Sequence, residues 1–175
     1  FSLIWVTGLR ISEALALDRD DVNLAKQLLT IRNAKFGKSR LVPVHASTAN
    51  ALAHHARCRD QIFPHPQSPS FFLSTVGTRP TTSIADLTFK QLCVKIGIRD
   101  ARDGKGPRIH DMRHSFAVKS LIDVYKAGRN IEQEIDTLSF YMGHVGPSST
   151  YWYFSAVPEL LELARNRLER KRGVL

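Results

Sequence analysis

Apolar positions recur at helical spacing through most of this 175-residue chain, and the interruptions between the stripes are polar, proline-rich or glycine-bearing. Residues 2–17 predict a helix broken at Thr7-Gly8. Beyond the break Ile11, Ala14 and Leu15 mark the inner face and Glu13 is expected to point outward. Residues 18–26 are polar and read as loop. Residues 28–32 and 40–44 are two short β-prone runs around a segment containing Gly37, a hairpin stopped near its far end by Pro43. Residues 48–57 are alanine-rich and predict a short helix. Pro64, Pro66 and Pro69 make 60–70 a loop, and Phe71-Phe72-Leu73 a brief buried segment.

Residues 82–96 predict a helix with Leu87, Cys93 and Val94 inward, and 100–106 a charged loop. The next helix opens at Pro107-Arg108-Ile109-His110, with Ile109, Met112, Phe116, Leu121 and Val124 on its apolar side. Residues 130–142 follow, with Ile131, Ile135, Leu138 and Met142 on one stripe and Gly143 as terminator. Gly146-Pro147 turns the chain, and 148–154 predict a short helix. An amphipathic helix over 157–172, with Pro158 in its first turn, carries Val157, Leu160, Leu161, Ala164 and Leu168. The sum is a mainly α chain with a small antiparallel sheet, an α+β fold, without internal repeats.

Composition narrows the function. With 43% hydrophobic and 23% charged residues, the chain can bury a core of one domain, with at most a small appendage. The net charge of +9 favours a polyanionic partner, nucleic acid above all. Cys58 and Cys93 form no CxxC pair and argue against a disulfide scaffold. No apolar run reaches the length of a membrane span. His45, His54, His55 and His65 lack metal-ligand spacing, and no metal or other cofactor is expected. The opening Phe-Ser-Leu-Ile-Trp-Val reads as the middle of a helix, so the chain is expected to be a fragment.

Five places could carry chemistry. Arg10 sits at the glycine break; alone, it reads more readily as a solvated helix arginine. Lys35 lies near the hairpin tip, where lysines usually only solubilise. His110 and Arg113, three apart at a helix start, share one face with exposed N–H groups that favour an anion. His144 follows the Gly143 helix terminator. Tyr153 sits in an aromatic cluster, and such clusters are more often core than catalytic.

Taken in order, these pieces resemble something specific. Thr7-Gly8-Leu9-Arg10-Ile11-Ser12-Glu13, the hairpin lysine before Arg40-Leu41-Val42-Pro43, His110-x-x-Arg113-His114, Gly143-His144 and a tyrosine nine residues later are similar to the catalytic domain of the tyrosine recombinase (phage integrase) family. The resemblance covers residues 7 to 154. It implies that family's catalytic-domain fold, with a DNA-clamping N-terminal domain absent from this chain. It implies catalytic roles for Arg10, Lys35, His110, Arg113, His144 and Tyr153, with Tyr153 the nucleophile. Tyr151 and Lys38 are the competitors for the nucleophile and the catalytic lysine. Lys38, Arg40, Arg108 and His114 are the expected DNA contacts, and double-stranded DNA the expected partner. Self-association as a dimer or tetramer on DNA would use the C-terminal helix, in the bacterial cytosol or nucleoid.

The chemistry suits these residue types. A phosphodiester under attack gathers negative charge, and the two guanidiniums of Arg10 and Arg113 can hold its oxygens in forked hydrogen bonds. A phenol ionises near pH 10, so its deprotonation needs help; His110 is the candidate base, with His144 donating to the phosphate. Lys35, on the resemblance, protonates the leaving 5′-oxygen. The expected activity is recombination by strand cleavage and rejoining through a 3′-phosphotyrosyl intermediate. A type IB topoisomerase is the alternative within that chemistry, and a non-catalytic DNA-binding module the alternative outside it. A metal-dependent nuclease would want a carboxylate cluster that the sequence lacks.

Overall fold

A computed structural model describes residues 1–32, 39–143, 153 and 158–171, excluding the side chains of 167, 168, 170 and 171. Lys35, Lys38, His144, Tyr151, the short helix expected over 148–154 (apart from Tyr153) and the expected stripe positions Val157 and Leu168 lie outside that description. The chain divides into two compact units, Phe1–Arg113 and His114–Leu175.

The first unit begins with α1 (Ser2–Thr7) and α2 (Ile11–Ala16), separated where the sequence predicted. Gly8 takes the left-handed conformation (φ 63°) and closes α1 by donating its N–H to the Ile4 carbonyl, 2.8 Å. A side chain there would be strained, which is why glycine makes the break. The expected loop over 18–26 instead contains a 3₁₀ turn (Arg19–Asp21) and a short strand β1 (Val22–Asn23). The Asp21 carboxylate accepts the Asp18 N–H at 3.0 Å and fixes that turn; its polar residues are structural, not merely solvated.

Strands β2 (Leu28–Ile31) and β3 (Arg40–Pro43) form the predicted hairpin, and β1 adds to its free edge to give an antiparallel sheet in the order β1-β2-β3. Leu29 lies opposite Val42 and Ile31 opposite Arg40. The alternation of strands sends Leu29, Ile31 and Val42 to one buried face while Leu41 stays exposed. Helix α3 (Ala46–Ile62) outruns the predicted 48–57 in both directions, begun by His45, whose ring nitrogen accepts the Ser47 N–H.

Helix α4 (Thr82–Lys95) has the expected length but a different inner face. Ala85, Phe89 and Cys93 are buried at four-residue spacing, whereas Leu87 is 58% exposed and Val94 also faces out. The true stripe was hidden by an almost continuous apolar composition around the helix. Phe89→Ala is therefore expected to cost about 3–5 kcal/mol and Leu87→Ala under about 0.5 kcal/mol, read from urea midpoints. Equal losses would contradict this orientation.

Helix α5 (Ile109–Lys126) starts in the first unit and ends in the second. In the second unit α6 (Ile131–Met142) runs from Asn130, whose side chain accepts the Glu132 N–H at 3.1 Å, to Gly143, again left-handed (φ 67°). Helix α7 (Pro158–Lys171) follows. Ala117 and Leu121 of α5, Ile135, Leu138 and Met142 of α6, Leu160 of α7 and Tyr153 make one buried cluster. Leu161, expected on the apolar stripe of α7, is 52% exposed. Among the described residues no helix is long and apolar enough to cross a membrane.

Candidate active site

The glycine break delivers Arg10 to the first position before α2, in extended backbone. Its N–H is accepted by the Glu13 carboxylate one turn on, at 2.9 Å. This is half of a capping box; a guanidinium has no acceptor with which to supply the other half. Instead the Arg10 side chain also turns to Glu13, with Nη1 2.9 Å from Oε1. Arg40, at the start of β3, closes on the same carboxylate from the other side, Nη1 and Nη2 lying 3.0 and 2.9 Å from the two oxygens.

Glu13 therefore faces inward, 7% exposed, not outward as its position among polar neighbours suggested. Burial alone would raise its pKa. The hydrogen bond from Arg40, the Arg10 N–H and the charges of both guanidiniums outweigh that and hold the carboxyl below the usual range. The Arg40 side chain is only 7% exposed, with both ends of its fork on Glu13. Arg40, expected to contact the DNA backbone, therefore also has an internal role, as counter-charge to a buried carboxylate.

On α5, His110 is the second residue and exposed, and Arg113 lies one turn further and is 2% exposed. The Arg113 Nη1 donates to the carbonyl of Gly8. That bond joins positions 105 residues apart and sets Arg113 against the same glycine break that carries Arg10 two residues later. Arg108 precedes the helix, and its backbone N–H and Nη2 reach the Asp111 carboxylate at 2.8 and 3.0 Å. The Arg108 side chain remains largely exposed, and the hydrogen bond that it donates to Asp111 favours its charged form.

In the second unit the phenol oxygen of Tyr153 lies 2.9 Å from Nδ1 of His114. The two rings meet edge to face, centroids 5.5 Å apart. Tyr153 is 3% exposed, packed in the cluster formed by α5, α6 and α7. His114, expected to touch DNA, has a ring nitrogen on the phenol. Lys35, Lys38 and His144 lie outside the described residues. Among the described residues no three His, Cys, Asp or Glu side chains gather as a metal would require.

Two sets of contacts escaped the sequence reading. Glu13 had a signal, an acid three residues after an arginine at a helix start. The pairing of His114 with Tyr153 had none, because 39 residues separate them and no periodicity relates them.

The comparisons with known proteins agree with this picture. The model of the phage integrase family matches residues 1–159. A protein of Sinorhizobium fredii bearing the name integrase/recombinase y4rB is 44% identical over 172 residues, 98% of this chain and 55% of the relative. The crystal structure of XerA recombinase superposes with a TM-score of 0.73 at 23% identity, covering 94% of this chain and 55% of that one. The Tn1549 transposon integrase, solved in complex with transposon right end DNA, gives 0.70 at 22% identity, covering 97% and 56%. The chain thus spans about half the length of the relatives it matches. With the family's motifs in order and its catalytic-domain fold around them, this chain belongs to the phage integrase family of tyrosine recombinases.

Proposed function

We propose that the protein carrying this chain cleaves and rejoins double-stranded DNA in site-specific recombination, as an integrase or transposon-borne recombinase, with Tyr153 as nucleophile. The observation that carries this reading is the anchoring of Arg113 on the Gly8 carbonyl, which draws one phosphate-binding guanidinium to the segment that holds the other, Arg10. A buried carboxylate shared with Arg40 keeps Arg10 oriented. Family membership and the net charge of +9 support a DNA substrate.

In this reading Arg10 and Arg113 hold the non-bridging oxygens of the scissile phosphate and stay charged as negative charge grows on them. His144 donates a further hydrogen bond, Lys35 protonates the departing 5′-oxygen, and His110 assists at the phosphate end of α5. The phosphotyrosyl bond keeps the energy of the broken diester, so a second 5′-hydroxyl end displaces the tyrosine and reseals the strand. Arg108 and Lys38 contact the DNA backbone. On DNA the protein assembles as a dimer or tetramer through α7, whose exposed Leu161 is available for it.

The test is covalent capture on a nicked suicide substrate followed by a two-site recombination assay. Capture with exchange supports recombination; capture with relaxation of supercoils and no exchange favours the topoisomerase alternative; binding without capture overturns the enzymatic reading. Arg113→Lys keeps a charge but loses the fork and the Gly8 anchor. It is expected to slow capture by about 100- to 1,000-fold, while binding at low salt changes little. A rate equal to the unsubstituted protein would contradict the role of Arg113.

A further inference from the structure

The base assigned from the sequence, His110, is not the histidine on which the phenol rests. His114 is, with Nδ1 2.9 Å from the Tyr153 oxygen, within the ordinary range of a hydrogen bond. We propose that His114 is a further catalytic residue, the group that takes the phenolic proton of Tyr153 as its oxygen attacks phosphorus. This deepens the reading above and rests on it.

Three features favour it. The phenol is buried among Leu121, Leu138, Met142 and Leu160, so its proton leaves by a side chain more readily than by bulk water. The imidazole is firmly placed: Ala117 and Leu121 follow His114 at three- and seven-residue spacing on α5, and both are wholly buried. The chemistry fits as well, since an imidazole without a proton on Nδ1 is an acceptor at neutral pH whereas a phenol at about pH 10 is a weak donor of its proton to water.

The Oη–H bond of Tyr153 breaks and its proton moves to Nδ1, leaving an imidazolium. The Oη–P bond forms, the P–O5′ bond breaks with its electron pair, and the 5′-oxygen takes a proton from Lys35. On resealing, a 5′-hydroxyl returns its proton to Lys35 as its oxygen bonds to phosphorus, the P–Oη bond breaks with its electron pair, and the imidazolium gives its proton back to the departing phenol oxygen, as microscopic reversibility requires.

The experiment measures the rate of covalent capture by the intact protein that carries this chain, on a suicide DNA substrate. His114→Asn and His114→Gln both keep an amide that can hydrogen-bond the phenol, and neither can accept the proton; two variants guard against one failing to fold. Each is expected to form adduct about 100- to 10,000-fold more slowly. Incorporating 3,5-difluorotyrosine at position 153, a phenol that ionises more easily, is expected to restore most of that loss. A substrate with a bridging 5′-sulfur, whose leaving group needs no proton, is expected not to. Capture by both variants at the unsubstituted rate overturns the role of His114, as does a loss that the fluorinated tyrosine fails to repair. If the unsubstituted protein forms no adduct, the proposed function itself falls, an outcome distinct from failure at His114 alone.

Discussion

A Tyr153→Phe protein is expected to bind DNA as the unsubstituted protein does and to form no covalent complex with it. The loss is total, not graded, because phenylalanine offers no oxygen to attack phosphorus. The fold should survive: the ring stays in the cluster of α5, α6 and α7, and only the hydrogen bond to His114 disappears. Such a bond contributes about 0.5–1.5 kcal/mol net, a small part of the roughly 5–15 kcal/mol of a domain. Tyr151→Phe is the control and should capture DNA normally. Capture measured on denaturing gels, with a thermal melt of each variant, separates lost chemistry from lost structure. Undiminished capture by Tyr153→Phe would remove the nucleophile from the account.

Glu13→Ala is expected to be among the most damaging single changes to stability in the first unit. Four donors converge on that carboxylate: the Arg10 N–H and Nη1, and both ends of the Arg40 fork. Removing it leaves the buried guanidinium of Arg40 without its counter-charge, which costs about 3–5 kcal/mol. Replacing Arg40 by methionine in the same protein should recover much of that loss, because an apolar pair does not need compensation. The pH dependence has a definite sign. The folded carboxyl titrates below its value in the unfolded chain, about 4.3, so its contribution is present above that value. It is lost as pH falls through the folded pKa. Urea unfolding at a series of pH values should show the unsubstituted protein losing stability in that acidic window faster than Glu13→Gln. Parallel curves would show that Glu13 is not held ionised by its neighbours.

The arrangement of helices and the hairpin was legible because its signals are local. Thr7-Gly8 needed a left-handed residue, Gly143 needed another, and the alternation over 28–31 and 40–43 could form only a strand pair. The sense of a helix was less legible where apolar residues surround it: α4 offers Leu87 and Val94 as readily as Phe89 and Cys93, and only its neighbours decide. The candidate site was legible as a set of residues but not as a set of contacts. Arg40 read only as a DNA contact because nothing nearby in sequence predicts that Glu13, 27 residues earlier, would be buried against it. His114 read as a DNA contact because its partner lies on a different segment. Polar residues at a helix start announce an anion site; whether each meets a ligand or another side chain depends on long-range packing.

Fragmenting the protein after covalent capture and locating the nucleotide by tandem mass spectrometry tests the nucleophile most directly. The peptide between Arg129 and Arg165 contains Tyr141, Tyr151 and Tyr153, so fragment ions must distinguish among them. The added phosphonucleotide is expected on Tyr153. An adduct on Tyr151, on a serine, or on no residue at all would contradict it.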